Sequence, residues 1–218
     1  QKITTEPGFQ YELSGAPFKN IHSVCSENSS HFNELKEVFK SANITTSSIA
    51  YDPFNKLIDI PKSPKERYKI MTAEMPKEGK LSLDMMYKTA GIQINYDYTS
   101  EQDFEKKFKI GNYLAPLTIA LFANSPFNEN KPSGFLSYRG KVWQETNRGG
   151  IMPITFDKVS FEKYIDHAIN YPILFLKKNG KYHSPNGQTF NDFLNGNLSF
   201  LKGEKPTLES FENHLGTI

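Results

Sequence analysis

The sequence predicts an α+β fold, and three observations carry that expectation. Two segments alternate apolar and polar residues with the period of a half-buried strand: Phe9, Tyr11 and Leu13 against Gln10, Glu12 and Ser14, and Ile92, Ile94, Tyr96 and Tyr98 against Gln93, Asn95 and Asp97. Long stretches of helical spacing separate such segments, one of them opened by Ser100 with Asp103 in a capping-box-like start. Strands that keep a polar face suggest an antiparallel sheet with helices on one side and an open polar side on the other.

In chain order, residues 3–6 read as a strand, and the Phe9–Leu13 alternation gives a second, ended by Gly15-Ala16-Pro17. Residues 27–42 carry Phe32, Leu35, Val38 and Phe39 at helical spacing, with Cys25 at the start of the helical region. Residues 49–51 predict a short strand before a Pro- and Lys-rich loop, and 67–75 a helix stopped by Pro76. Residues 91–99 give the clearest strand, followed by a helix to about 122 with Pro116 as a possible kink. A loop over 124–134 leads to an expected strand over 135–142. Helices are expected at 161–169, 189–194 and, capped by Thr207, up to Leu215. Gln1 in place of a methionine and a closing helix with nothing after it read as cut ends, so a fragment of a longer protein is expected.

Composition excludes several classes. A net charge of +2 with both signs dispersed gives no electrostatic case for nucleic acid or a membrane surface. No apolar run approaches the roughly 20 residues of a membrane span. The single cysteine excludes an internal disulfide framework and fits a reducing compartment. The five histidines lack metal-ligand spacing, which argues against zinc.

Arginine is rare in this lysine-rich chain, yet Arg139 and Arg148 flank the only tryptophan, Trp143. A guanidinium offers a planar, bidentate fork to carboxylate or phosphate that an ammonium cannot. Ordinary surface charges near a turn are the competing reading. Glu6 and Glu12 share strand parity, but on a straight strand they would stand roughly 20 Å apart, too far for one Mg²⁺. Either Pro7-Gly8 bends the chain or the two carboxylates serve different ions. Gln93 and Asn95 form a second polar row, suited to a phosphate, a ribose or a metal-bound water.

Several segments resemble the glutamate–cysteine ligases of the plant and proteobacterial type: Glu6 to Pro17, Asp84-Met85-Met86-Tyr87-Lys88-Thr89 followed by Gln93 to Asp97, Leu121 to Phe127, Ser137-Tyr138-Arg139 through Arg148, and Lys205 to Leu215. The resemblance runs through the whole chain in order. It implies a glutamine-synthetase-like curved antiparallel sheet with flanking helices, incomplete at both ends, with residues 1–218 as one partial catalytic domain. It implies ATP-dependent joining of the L-glutamate γ-carboxylate to L-cysteine, the first step of glutathione synthesis, with Mg²⁺ and a γ-glutamyl phosphate. By the same resemblance Glu6, Glu12 and Gln93 would hold the metal, and Gln93, Asn95 and Arg148 would face ATP. Met86, Thr89, Trp143 and Arg139 would contact the amino acid, and Arg139 and Arg148 would act in catalysis. The compartment would be a bacterial cytoplasm or a plant plastid. A ligase using another amine, or a non-catalytic binding module of the same fold, are the alternatives. Phe9 departs from the family's second glycine, and Pro185 and Phe200 stand where plant members carry a regulatory cysteine pair.

Overall fold

The structure, a computed structural model, describes residues 2–146 and 159–218. It is α+β with helix predominant, and its strands form three separate two-stranded antiparallel sheets among the described residues. The single open sheet expected from the alternating segments is therefore not formed here.

The chain begins with the hairpin β1 (Lys2–Thr5) and β2 (Tyr11–Ser14), in register Thr4 opposite Glu12. Its connection is Pro7-Gly8-Phe9, closed by Glu6 N–H on the Gln10 carbonyl (2.9 Å) and Phe9 N–H on the Glu6 carbonyl (2.9 Å). Such a three-residue connection ends in a left-handed residue, and Phe9 takes that place at φ 61. Helix α1 (Ile21–Ser41) starts earlier than its apolar spacing indicates, because the Asn20 side chain accepts the Ser23 N–H (2.9 Å) as N-cap. Cys25 consequently lies inside the helix rather than at its start, and is exposed.

Tyr51 makes only an isolated bridge to Thr89 where a short strand was expected. Helix α2 (Glu66–Glu78) runs through Pro76 instead of stopping there. The proline falls near the helix end, so it costs one bond, to the Thr72 carbonyl, and the Gly79 N–H still closes on Met75 (3.2 Å). Helix α3 (Ser82–Lys88) follows. Residues 91–99 have strand alternation but no ladder partner among the described residues, and 91–100 are all exposed. Alternation records fitness for a pleated surface; a strand also needs a neighbour for its backbone groups.

Helix α4 (Glu101–Leu121) is capped by Ser100, whose side chain accepts the Asp103 N–H. It buries no residue fully. The protein exposes 14734 Å², where a compact monomer of its mass exposes about 10,000 Å², and residues 91–100 with α4 share in that excess. After the short hairpin β3 (Phe127–Asn128) and β4 (Lys131–Pro132) comes helix α5 (Tyr138–Gln144), where a strand over 135–142 was expected. Ser137 decides the matter: its side chain accepts the Gly140 N–H (3.1 Å) as an N-cap, and Lys141 pairs with Glu145 at helical spacing.

Helix α6 (Phe161–Ile169), the hairpin β5 (Leu176–Lys178) and β6 (Lys181–His183), α7 (Phe190–Leu194) and α8 (Leu208–Leu215) complete the chain, with the three helices where the sequence places them. Two apolar clusters form the core. Ile60, Tyr68, Met75, Met86, Tyr87 and Leu174 make one; Ile173, Leu176, Phe190, Phe193, Leu198 and Leu201 make the other.

Two substitutions test the hairpin. A left-handed conformation costs a non-glycine residue about 1–2 kcal/mol, so Phe9→Gly should raise the free energy of unfolding by about 1 kcal/mol, read as a higher denaturant midpoint. Gly8→Ala should lower it, because a Cβ there would meet the Tyr87 backbone oxygen at 2.4 Å.

Candidate active site

The last carbonyls of a helix lack partners within it, and at α3 other segments supply them. The Thr89 hydroxyl donates to the Met85 carbonyl (2.6 Å), the Gln10 amide donates to the Met86 and Thr89 carbonyls (3.2 Å each), and the Asp52 N–H donates to the Lys88 carbonyl (2.8 Å). The Gln10 side-chain oxygen also accepts the Gly8 N–H (2.8 Å). The β1–β2 hairpin is thereby fastened to the end of α3.

Helix α5 meets this end from another direction. Buried Ser125 takes the Tyr138 N–H on its carbonyl (2.9 Å) and the Arg139 N–H on its hydroxyl (3.1 Å), which fixes the first turn of α5. The Arg139 guanidinium lies against Gly91 so closely that a Cβ there would stand 2.7 Å from its Nη2. It also sits over the Trp143 ring, 5.6 Å from the centroid. Arg139 Nε and Trp143 Nε1 are both buried without a hydrogen-bond partner. Burial pulls the proton affinity of Arg139 below the ordinary arginine value, and no carboxylate among the described residues pairs with it. A half-buried guanidinium beside an unpartnered indole N–H has the donor chemistry that a carboxylate or phosphate can accept from.

Arg139 and Trp143 lie together beside Gly91, two residues beyond Thr89, whose hydroxyl is turned onto the Met85 carbonyl. Met86 lies at the same helix end, but it is 5% exposed and packs in the first core cluster. Glu6 and Glu12 are brought together by the Pro7-Gly8-Phe9 bend. Thr4 faces Glu12 and Glu6 faces Gln10 across the hairpin, so Glu6 and Glu12 are diagonal neighbours, their Cα atoms about 7–8 Å apart. Among the described residues no three His, Cys, Asp or Glu side chains form a ready metal cluster. Two carboxylates suit Mg²⁺, which keeps waters and takes phosphate oxygens for its remaining positions. Gln93 and Asn95 bond each other (3.0 Å) on the exposed segment that leaves Gly91, and no described bond joins them to the hairpin. Arg148 lies outside the described residues, as does Asn147.

A polar network went unforeseen. Tyr51, 1% exposed, donates to the Asp84 carboxylate (2.7 Å) and approaches Asn128 Oδ1 (3.2 Å). Lys88, 3% exposed, donates to Asn128 Oδ1 (3.2 Å) and lies over the Tyr51 ring at 4.7 Å. The Asn128 amide donates to the Tyr138 hydroxyl (3.3 Å). Burial, then the bond to Asp84, pushes the Tyr51 phenol above the usual tyrosine range. The partners stand up to 77 residues apart, and only the i,i+4 spacing of Asp84 and Lys88 hinted at a charged helix face. Gln10 and Gly91 were likewise not singled out, although Gln10 lay on the noted polar face.

Residues 1–217 match glutamate-cysteine ligase family 2. The chain is 47% identical over 221 residues to glutamate–cysteine ligase A, chloroplastic, of Oryza sativa subsp. japonica, covering 100% of this chain and 45% of that protein. It is 46% identical to the chloroplastic glutamate–cysteine ligases of Nicotiana tabacum and Arabidopsis thaliana, covering all of this chain and 42% of each. The chain thus spans less than half the length of these relatives.

The packing of Arg139 on Gly91 gives a direct test. Gly91→Ala should push the guanidinium off its seat and change the emission of the chain's only tryptophan, measured by steady-state fluorescence without ligand.

Proposed function

The chain belongs to glutamate-cysteine ligase family 2, and from that premise we propose that the polypeptide carrying it joins L-glutamate to L-cysteine at the expense of ATP. The observation that carries the site assignment is Arg139: a half-buried cation with no carboxylate partner among the described residues, its Nε and the neighbouring Trp143 Nε1 both without partners. Arg139 would clamp a carboxylate of glutamate or the transferring phosphate, and Trp143 would wall the pocket and donate its indole N–H. The Thr89 hydroxyl spends its proton on the Met85 carbonyl, so its remaining lone pairs would accept from an amino-acid ammonium. Glu6 and Glu12 would hold Mg²⁺, which when bound neutralises phosphate charge. Gln93 and Asn95 would face the nucleotide, and Arg148 is proposed as a second cation near the phosphates.

The chemistry asks for positioning and charge stabilisation more than for a covalent nucleophile. A γ-carboxylate oxygen of glutamate attacks the γ-phosphorus of ATP and ADP leaves. The cysteine amine then attacks the γ-acyl carbon, loses a proton, and phosphate leaves. Both steps pass through added negative charge on phosphoryl or acyl oxygens, where a fixed, desolvated guanidinium stabilises most. The relatives are named as chloroplastic, and a plastid is the proposed compartment if the chain is of plant origin. No helix among the described residues is long and apolar enough to cross a membrane.

ADP release with glutamate, Mg²⁺ and ATP, measured with and without cysteine, tests the activity. Cysteine-dependent release with a γ-linked dipeptide is expected; release only with another amine would make it a different carboxylate–amine ligase, and ligand binding without release a non-catalytic module. Arg139→Ala should lower turnover by about 10²-fold or more, and Arg139→Lys should not restore it, since an ammonium lacks the planar fork. Near-normal turnover in either variant would remove Arg139 from the site.

A further inference from the structure

We propose that Lys88, Asn128 and the Tyr138 hydroxyl form a positioning relay that sets the separation of Thr89 from Arg139, and so tunes affinity for the amino-acid substrate. The proposal rests on the substrate reading above. Lys88 immediately precedes Thr89, and Tyr138 immediately precedes Arg139. Asn128 joins the two, accepting from Lys88 Nζ (3.2 Å) and donating to the Tyr138 hydroxyl (3.3 Å). One amide therefore reads the end of α3 with its oxygen and the start of α5 with its nitrogen.

The chemistry of the cluster argues for more than packing. Asp84 and Lys88, four residues apart on α3, would ordinarily form a direct i,i+4 ion pair. Instead Tyr51 takes the Asp84 carboxylate with its hydroxyl and offers its ring face to the Lys88 ammonium. That leaves the ammonium, 3% exposed, free to donate across to Asn128. A buried cation is costly unless its donors are used; the Lys88 ammonium donates to Asn128, and the Asn128 amide in turn donates to Tyr138. The Tyr138 ring packs edge-on against Tyr51 (5.0 Å between centroids), which closes the cluster on itself. The backbone follows the same route: Asp52 N–H bonds the Lys88 carbonyl, Asn130 N–H bonds the Pro53 carbonyl (2.7 Å), and Ser125 anchors Tyr138 and Arg139. Arg139 then reaches back to Gly91, two residues beyond Thr89.

Lys88→Met keeps the length of the side chain and removes the charge and the donors. In the polypeptide carrying this chain it should raise KM for glutamate about ten-fold, the usual effect of losing a hydrogen bond from a charged group, with a smaller change in kcat. Lys88→Arg should recover most of that loss. Tyr138→Phe, which keeps the ring and loses only the hydroxyl, should raise KM about three-fold, as for a neutral hydrogen bond, and serves if Lys88→Met does not fold. A purely structural role lowers the amount of active protein and leaves KM unchanged, so unaltered KM for glutamate in both variants overturns the relay. Trp143 emission supplies a readout independent of turnover: Lys88→Met and Tyr138→Phe should each shift it without ligand, because the guanidinium over the indole moves. If the wild type shows no glutamate-dependent ADP release, the substrate reading fails and the emission alone decides the relay; unshifted emission in folded variants of either kind overturns it.

Discussion

The carboxyl end of α3 is the constraint on which the site depends. A helix of seven residues ends with carbonyls that need partners, and those partners are drawn from separate stretches of the sequence. Gln10 brings the hairpin bearing Glu6 and Glu12, Asp52 brings the segment that carries Tyr51, and the Thr89 hydroxyl closes the last turn. The requirement is geometric as well as polar. Gly8 must lack a side chain, since the Tyr87 carbonyl occupies the space where a Cβ would go. The Glu-Pro-Gly turn is thus at once a docking device for the hairpin face that bears Glu6 and Glu12 and a bend in it.

The Arg139–Trp143 pair is built by the opposite logic, through leaving groups without partners. Ser125 spends both its carbonyl and its hydroxyl on the backbone of Tyr138 and Arg139, fixing the first turn of α5. Nothing comparable is spent on the Arg139 Nε or the Trp143 Nε1. Buried donors without acceptors cost free energy in the protein alone, and a ligand carboxylate or phosphate recovers it. The desolvation that weakens the arginine's hold on its own proton is the same condition that strengthens its attraction for an anion.

Much of this was legible in the sequence, in uneven fashion. Arg139 and Trp143 stood out because arginine and tryptophan are scarce in this chain, and rarity is readable without a structure. The N-cap residues Ser100 and Thr207 placed their helices because capping is local chemistry. The Pro7-Gly8 bend was one of two options left open for Glu6 and Glu12, and the hairpin has that bend. The 135–142 segment misled because Phe135, Val142 and the glycines suit either state, and Ser137 was not weighed as a cap. The 91–99 segment misled because alternation cannot report whether a neighbouring strand exists. Lys88, Asn128 and Tyr51 were out of reach, since their chemistry arises only when residues 51, 88, 128 and 138 meet.

The most direct test of this account is a titration of Trp143 fluorescence with L-glutamate, in the wild type and in Arg139→Ala. A saturable change in the wild type that disappears in the variant is the predicted result, because the ligand carboxylate would displace the guanidinium from the indole face. A flat wild-type response, or an identical response in both proteins, would contradict the assignment of Arg139 and Trp143 as the receptor.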